Sequence, residues 1–260
     1  MMLLEGKTVI VTGVGAGLGR ECAAAALREG ASVVIAARTQ ETLDAAAAEL
    51  DPDGKRVVAK PTDITDEDAC AGLVSAAMER FGSVDALVQV AAFEYVFGGL
   101  RDSNLDDWRK AFETNVLGAL TVLRPVADAM KQSGGGSVVL IGSQATFKPS
   151  LPQAGYAASK GALLSTMYYL ADELGADNIR CNMVVPSWMW GPPVQAFVEG
   201  KAQHKGVSTE EVLQGIVGEF PLRRMTEDGE VADVAMFFAS DLAKAVTGQH
   251  LMVNAGELMR

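Results

Sequence analysis

Thr12-Gly13-Val14-Gly15-Ala16-Gly17-Leu18-Gly19 follows directly on the β-branched run at 8–11 and opens a stretch rich in alanine. Strand, glycine turn and helix in that order have a physical use. Glycines let the chain turn sharply and bring its backbone close to a pyrophosphate. The helix N-terminus adds unpaired N–H groups and the positive end of its dipole. Glycines also serve tight strand-to-helix packing, but in this context the stretch reads as a dinucleotide site.

Outward from that turn the same alternation continues. Further strands are expected at 32–36, 56–59, 86–90, 137–141, 180–185 and 249–253, with alanine- and leucine-rich helical stretches between them. Short β-branched runs alternating with helices predict βαβ units around a parallel sheet, hence a doubly wound, Rossmann-like α/β fold with seven strands and helices on both faces. Start signals support the helices: Thr65 ahead of Asp66, Glu67 and Asp68; Asn104 ahead of Asp106 and Asp107; and a capping box from Ser208 to Glu211. Gly134, Gly135 and Gly136 follow a helix and precede a strand, so a turn is expected there, not a phosphate loop. An irregular segment is expected from 186 to about 207, within a substrate loop reaching to about 220. No linker or repeat divides the 260 residues, which are read as one domain.

Composition narrows the function. Apolar residues make up 49%, enough for a sizeable core, and no apolar run approaches the ~20 residues of a bilayer span. No basic stretch precedes an apolar run at the N-terminus, so no signal peptide is expected. Three cysteines, Cys22, Cys70 and Cys181, lie far apart, which fits a reduced, cytoplasmic protein. A net charge of −11 argues against nucleic acid or an anionic membrane as partner. The two histidines, His204 and His250, have no companion ligand at a useful spacing, so neither a metal site nor a Ser-His-Asp triad is expected.

The chemistry is read at Tyr156-Ala157-Ala158-Ser159-Lys160, where a phenol and an ammonium stand one helical turn apart on one face. Free tyrosine titrates near ~10 and is a poor proton shuttle at neutral pH, and a nearby cation is expected to lower that value. The helix follows a strand ending in Ile141-Gly142-Ser143. At the other end, the acid expected about 20 residues past the glycine turn to accept from a ribose 2′-OH is missing. Ala36-Ala37-Arg38-Thr39 stands there instead, and the Arg38 fork suits a 2′-phosphate. NADP is therefore expected ahead of NAD.

With these residues in place, the whole chain resembles the single-domain branch of the short-chain dehydrogenase/reductase family. The family's Thr-Gly-x-x-x-Gly-x-Gly matches Thr12 to Gly19, and its Asn-Ser-Tyr-Lys tetrad falls on Asn115, Ser143, Tyr156 and Lys160. Thr62-Asp63-Ile64 resembles the family's adenine contact, and Val246-Thr247-Gly248-Gln249 with Val253-Asn254-Ala255-Gly256 its last strand. The chain differs from the family at Gln89-Val90-Ala91-Ala92, where Asn-Asn-Ala-Gly is usual. It differs again at Pro186-Ser187, where Pro-Gly is usual, and at Gly191, where a threonine is usual.

The resemblance implies hydride transfer between NADP(H) or NAD(H) and a carbonyl or secondary alcohol. It implies Tyr156 as general acid–base, Ser143 on the substrate oxygen, and Lys160 on the ribose hydroxyls and tuning Tyr156. Asn115 would position a water that links Lys160 to solvent. Cofactor contacts are implied for Thr12, Gly13, Gly15, Gly17, Leu18, Gly19, Arg38, Asp63, Ile64, Ala91, Pro186 and Met189, with Tyr156 and Lys160. Phe93, Tyr95, Phe97, Phe147, Trp188, Met189 and Trp190 fall in segments that the family places beside the nicotinamide, pointing to a hydrophobic or alicyclic alcohol or ketone. A homotetramer is implied, built on helices at about 105–130 and 155–174. Two alternatives stand beside the oxidoreductase: a cofactor-binding sensor or scaffold without turnover, and a 3-oxoacyl-carrier-protein-type reductase.

Overall fold

Successive residues of each strand feed two different cores. Val9 and Val11, Val33 and Ile35, Ala86 and Val88, and Val139 and Ile141 point to one face of the sheet. Ile10, Val34, Leu87, Val138 and Leu140 point to the other. This two-residue period, apolar on both faces, is what a parallel strand covered by helices on each side requires. The structure, a computed structural model, describes residues 2–259.

The strands are β1 (Thr8–Thr12), β2 (Ser32–Ala37), β3 (Val57–Pro61), β4 (Ala86–Gln89), β5 (Gly136–Ile141), β6 (Ile179–Pro186) and β7 (His250–Val253). They form one parallel sheet in the order β3-β2-β1-β4-β5-β6-β7, registered for example by Val9 opposite Val33 and Ala86. The expected seven-stranded, doubly wound fold is thus observed, with strand ends within one or two residues of expectation. Helices α1 (Leu18–Arg28), α2 (Gln40–Leu50) and α9 (Asp228–Ala239) cover the first face. Helices α3 (Glu67–Phe81), α5 (Ala119–Gln132) and α6 (Ala154–Gly175) cover the second. The strand order reverses between β1 and β4, and in sheets of this kind ligands bind outside the carboxyl ends at that point.

Several local expectations are corrected. Asp66, not Thr65, caps α3, its carboxylate accepting from the Ala69 amide. The helix expected over 105–130 is α4 (Leu105–Phe112) continued into α5 through a π-helical turn, Glu113–Gly118. Such turns are often found at functional sites, and this one carries Asn115. The segment after Pro186 is not irregular: it folds into α7 (Pro192–Lys205), entered through prolines at its first positions, and α8 (Thr209–Val217). The Ser208–Glu211 capping box opens α8 as expected. Gly134 and Gly135 have φ of 90° and 134°, so the glycine run is a turn. No helix among the described residues is long and apolar enough to cross a membrane.

Candidate active site

A cavity of about 1070 Å³ opens at the carboxyl ends of the strands and is lined by the segments that follow β1 through β6. The glycine turn after β1 floors one end. Gly13 has φ +70°, and a Cβ there would lie 2.5 Å from the Ala91 amide nitrogen, so only glycine lets this turn approach β4. A Cβ on Gly19 would strike the carbonyl of Gly13, whereas one on Gly15 would meet nothing within 4 Å. Gly13, Gly15, Gly17 and Leu18 line the cavity. Thr12 does not: it is fully buried, its hydroxyl donating to Gln89 Oε1 at 2.6 Å and accepting from the Val90 and Ala91 amides. Gln89, one of the departures from the family pattern, thus ties β1 to β4 behind the cleft wall.

No side chain caps α1, so the N–H groups of its first turn lack a side-chain acceptor beside the cavity. With the glycine cradle and the size of the cleft, this fits a dinucleotide diphosphate. Arg38, Asp63, Ile64, Ala91, Pro186 and Met189 line the same cavity. Arg38 is exposed and has no hydrogen bond or salt bridge among the described residues. Its charge helps hold the Asp63 carboxyl low, after the hydrogen bonds from Thr65.

At the other end α6 presents Tyr156, with Lys160 one turn on. Lys160 is buried and donates to the Ile141 carbonyl at 2.8 Å, its Nζ 5.8 Å from the centre of the Tyr156 ring. The expected lowering of the phenol's pKa is not found. Burial pushes Tyr156 up to about 12, the charge of Glu94 adds to it, and a hydrogen bond with Ser143 opposes. Burial also pulls Lys160 down to about 8, with Glu94 opposing. Desolvation disfavours whichever form is charged, so one environment moves the acid up and the base down.

Ser143 caps the short 3₁₀ turn after β5 by accepting from the Ala145 amide at 3.2 Å, besides facing Tyr156. The Asn115 side chain makes three hydrogen bonds. Its amide accepts from the Phe93 amide at 2.6 Å and donates to the Phe93 carbonyl and to Ser159 Oγ, each at 2.9 Å. It therefore locks the end of β4 to α6 with its side chain.

The aromatic expectations divide. Phe93, Tyr95, Phe97, Trp188 and Met189 line the cavity. Phe147 does not: it stacks on His250, whose ring also meets the Tyr168 hydroxyl, because the 3₁₀ turn carries it toward β7. Trp190 does not line the cavity either: it packs on the two small cores under α7 and α8, one around Val217 and Phe220 and the other around Val198 and Val212.

Sequence reasoning missed three carboxylates. Glu94 lies between two aromatics already singled out, and it lines the cleft. Asp228, at the start of α9, lies so that a Cβ on Gly191 would come 3.0 Å from its Oδ2, and burial first of all raises its pKa. Gly191, where the family has threonine, leaves room for it. Glu257 is only 4% exposed, pairs with Lys148 Nζ at 3.1 Å and accepts from the Ser187 hydroxyl. The serine in place of the family's glycine is therefore held by the C-terminal segment. A carboxylate just past Gly256 was the available signal, but nothing in the sequence shows that it returns to β6.

A family model described as enoyl-(acyl carrier protein) reductase matches residues 13–257. The 7alpha-hydroxysteroid dehydrogenase of Escherichia coli K12 is 32% identical over 255 residues, covering 97% of this chain and 94% of that protein. The L-rhamnose 1-dehydrogenase (NAD(P)(+)) of Azotobacter vinelandii is 34% identical over 260 residues, covering 98% of each. Among solved structures, a short-chain type dehydrogenase/reductase from Mycobacterium ulcerans superposes with a TM-score of 0.88 at 33% identity, covering 97% of this chain and 90% of that one.

Proposed function

We propose, from the premise that this chain belongs to the short-chain dehydrogenase/reductase family, that it moves a hydride between NADP(H) or NAD(H) and a carbonyl or secondary alcohol, with Tyr156 as the acid–base residue. The observation that carries this reading is one cavity lined by the glycine cradle at one end and by Ser143, Tyr156 and Lys160 at the other. The nicotinamide, when bound, supplies or accepts the hydride. The protein's own part is the proton. In reduction the carbonyl oxygen takes the Tyr156 proton as its carbon gains the hydride, and Ser143 donates to that oxygen as charge develops. Lys160 holds the ribose hydroxyls, and Asn115 positions the loop that begins at Phe93.

The mixed lining, aromatic from Phe93, Tyr95 and Trp188, supports a hydrophobic or alicyclic alcohol or ketone. The names of the relatives cover a steroid and a sugar, so substrate class is left to a screen of alcohols and ketones with both cofactors. Turnover in that screen supports the enzyme. Cofactor binding with no turnover of any substrate would favour the sensor. The three cysteines are unpaired and buried, in keeping with a cytoplasmic setting.

Cofactor choice is tested at Arg38. With a guanidinium that has no hydrogen-bond or ionic partner among the described residues, and no acid at the end of β2, NADPH is expected to bind at least tenfold tighter than NADH, since one charge-assisted hydrogen bond is worth about 1.5–3 kcal/mol and tenfold is about 1.4. Arg38→Asp is expected to reverse the order. Fluorescence titration with both cofactors checks it, and equal or tighter NADH binding by the native protein would overturn it.

Assembly as a homotetramer is proposed from the family and from apolar side chains left exposed on two helical segments: Leu105, Phe112 and Leu117 on one, Tyr168 and Tyr169 on the other. Light scattering at micromolar concentration is expected to give about four times the chain mass of 27.3 kDa. A monomer would contradict this.

A further inference from the structure

Glu94 is held by its backbone on two sides. Its carbonyl accepts from the Val96 amide at 2.8 Å and from Gln153 Nε2 at 3.4 Å. Its carboxylate has no hydrogen-bond or ionic partner among the described residues, yet it lines the cleft with Tyr156, Lys160 and Gln153. Its charge is felt by both Tyr156 and Lys160. A surface carboxylate of this kind would ordinarily be left to water. The same cleft is lined by Trp188 and Phe197, whose rings pack on each other at 5.4 Å, and a substrate filling the cleft displaces the water that solvates the charge. The carboxylate then needs a donor from the substrate, because an unpaired charge removed from water is costly.

We infer that Glu94 is a specificity-determining residue that selects substrates bearing a hydroxyl or ammonium donor beside the reacting carbonyl and turns away those bearing a carboxylate or phosphate. The inference rests on the dehydrogenase reading and deepens it, since it names what the substrate carries besides its carbonyl. A purely apolar ketone would leave Glu94 desolvated and unsatisfied. A keto acid would set like charges together, which costs several kcal/mol when water is excluded. Discrimination by such a group is large in principle: a site built to hydrogen-bond a substrate hydroxyl can reject the analogue lacking it by ~10⁴-fold, although an exposed lip gives less.

The test uses four ketones of one carbon skeleton: unsubstituted, hydroxylated, aminated and carboxylated beside the carbonyl. Binding to the full-length protein with cofactor is titrated, and turnover is measured alongside it. The native protein is expected to favour the hydroxyl or ammonium compound over the plain ketone by at least ~10-fold, and to bind the keto acid weakest. Glu94→Gln keeps an acceptor and removes the charge, so the keto acid is expected to gain ~10-fold or more and the ammonium compound to lose as much, with the hydroxyl preference retained. Glu94→Ala is expected to abolish all three preferences. Removing the charge should also move the alkaline rise of alcohol oxidation to lower pH, a readout that packing alone would not shift.

The inference and its premise fail separately. Selective binding without turnover would uphold Glu94 and sink the dehydrogenase. Turnover with the four compounds ranked alike in native and variant proteins would sink Glu94 and uphold the dehydrogenase. Binding of none of them would overturn both.

Discussion

Tyr156→Phe is expected to lower turnover at least ~100-fold, the low end for a lost general acid–base group, with cofactor affinity little changed. The substitution keeps the ring, its packing on α6 and the cradle at the far end of the cleft, and it removes only the titrating proton. Lys160→Ala, by contrast, is expected to damage both rate and affinity. It deletes a buried ammonium bonded to the Ile141 carbonyl and the proposed ribose contact together. Steady-state rates beside cofactor titrations for each variant separate the two outcomes. Near-full turnover by Tyr156→Phe would mean that the proton moves elsewhere.

The direction of the pH dependence follows from the site. Burial, then Glu94, holds the Tyr156 phenol up to about 12, so at neutral pH it carries its proton and is ready to give it to a carbonyl oxygen. Oxidation needs the phenolate, whose population grows about tenfold per pH unit below that value, so oxidation should rise with pH from neutral into the alkaline range. Lys160, pulled down to about 8, stays largely charged at neutral pH and loses its charge above it. Profiles in both directions check this; a flat oxidation profile would point to another base. A charge brought in by the oxidised cofactor ring would favour phenolate and move the rise lower, without changing its sign.

The fold was legible because its signals are periodic and local. The alternation that assigns Val9 and Ile10 to opposite faces is written in the strand itself, and the glycine turn names the strand it follows. Capping at Ser208 was legible for the same reason. What escaped depends on neighbours distant in sequence. No local pattern shows that Phe147 turns to His250 across the sheet edge, or that Trp190 packs under α7 while Trp188, two residues earlier, faces the cleft. The π-helical turn is invisible because no local pattern in Glu113–Gly118 distinguishes an extra residue from a weak stretch of α-helix, and the bonds Asn115 makes to Phe93 and Ser159 lie with residues distant in sequence. The phenol's pKa was misjudged because spacing reports where a cation sits, while burial, which prevails here, belongs to the tertiary structure.

Gly19→Ala is expected to destabilise the protein by about 1–3 kcal/mol and to weaken cofactor binding more than tenfold, although glycine-to-alanine inside a helix ordinarily stabilises by up to ~1 kcal/mol. The sign is decided by what the new methyl meets. At Gly19 it runs into the Gly13 carbonyl and the Val14 Cα, which are backbone atoms of the cradle and cannot swing aside like a side chain. Relief requires α1 to back away from the turn, which moves the free N–H groups at its start away from the diphosphate. Gly15→Ala is the control. Nothing lies within 4 Å of its would-be methyl and its φ is not left-handed, so folding should be unaffected. Its methyl would project into the space a diphosphate takes, so affinity alone should fall. Thermal unfolding without cofactor, followed by titration, distinguishes the pair: Gly19→Ala should melt several degrees lower, at about 2–4 °C per kcal/mol for a chain near this size, while Gly15→Ala should melt with the native protein. If both variants melt alike and only affinity changes, the glycines serve ligand approach alone and the packing argument fails. If Gly19→Ala melts and binds like the native protein, the turn has room that its geometry denies.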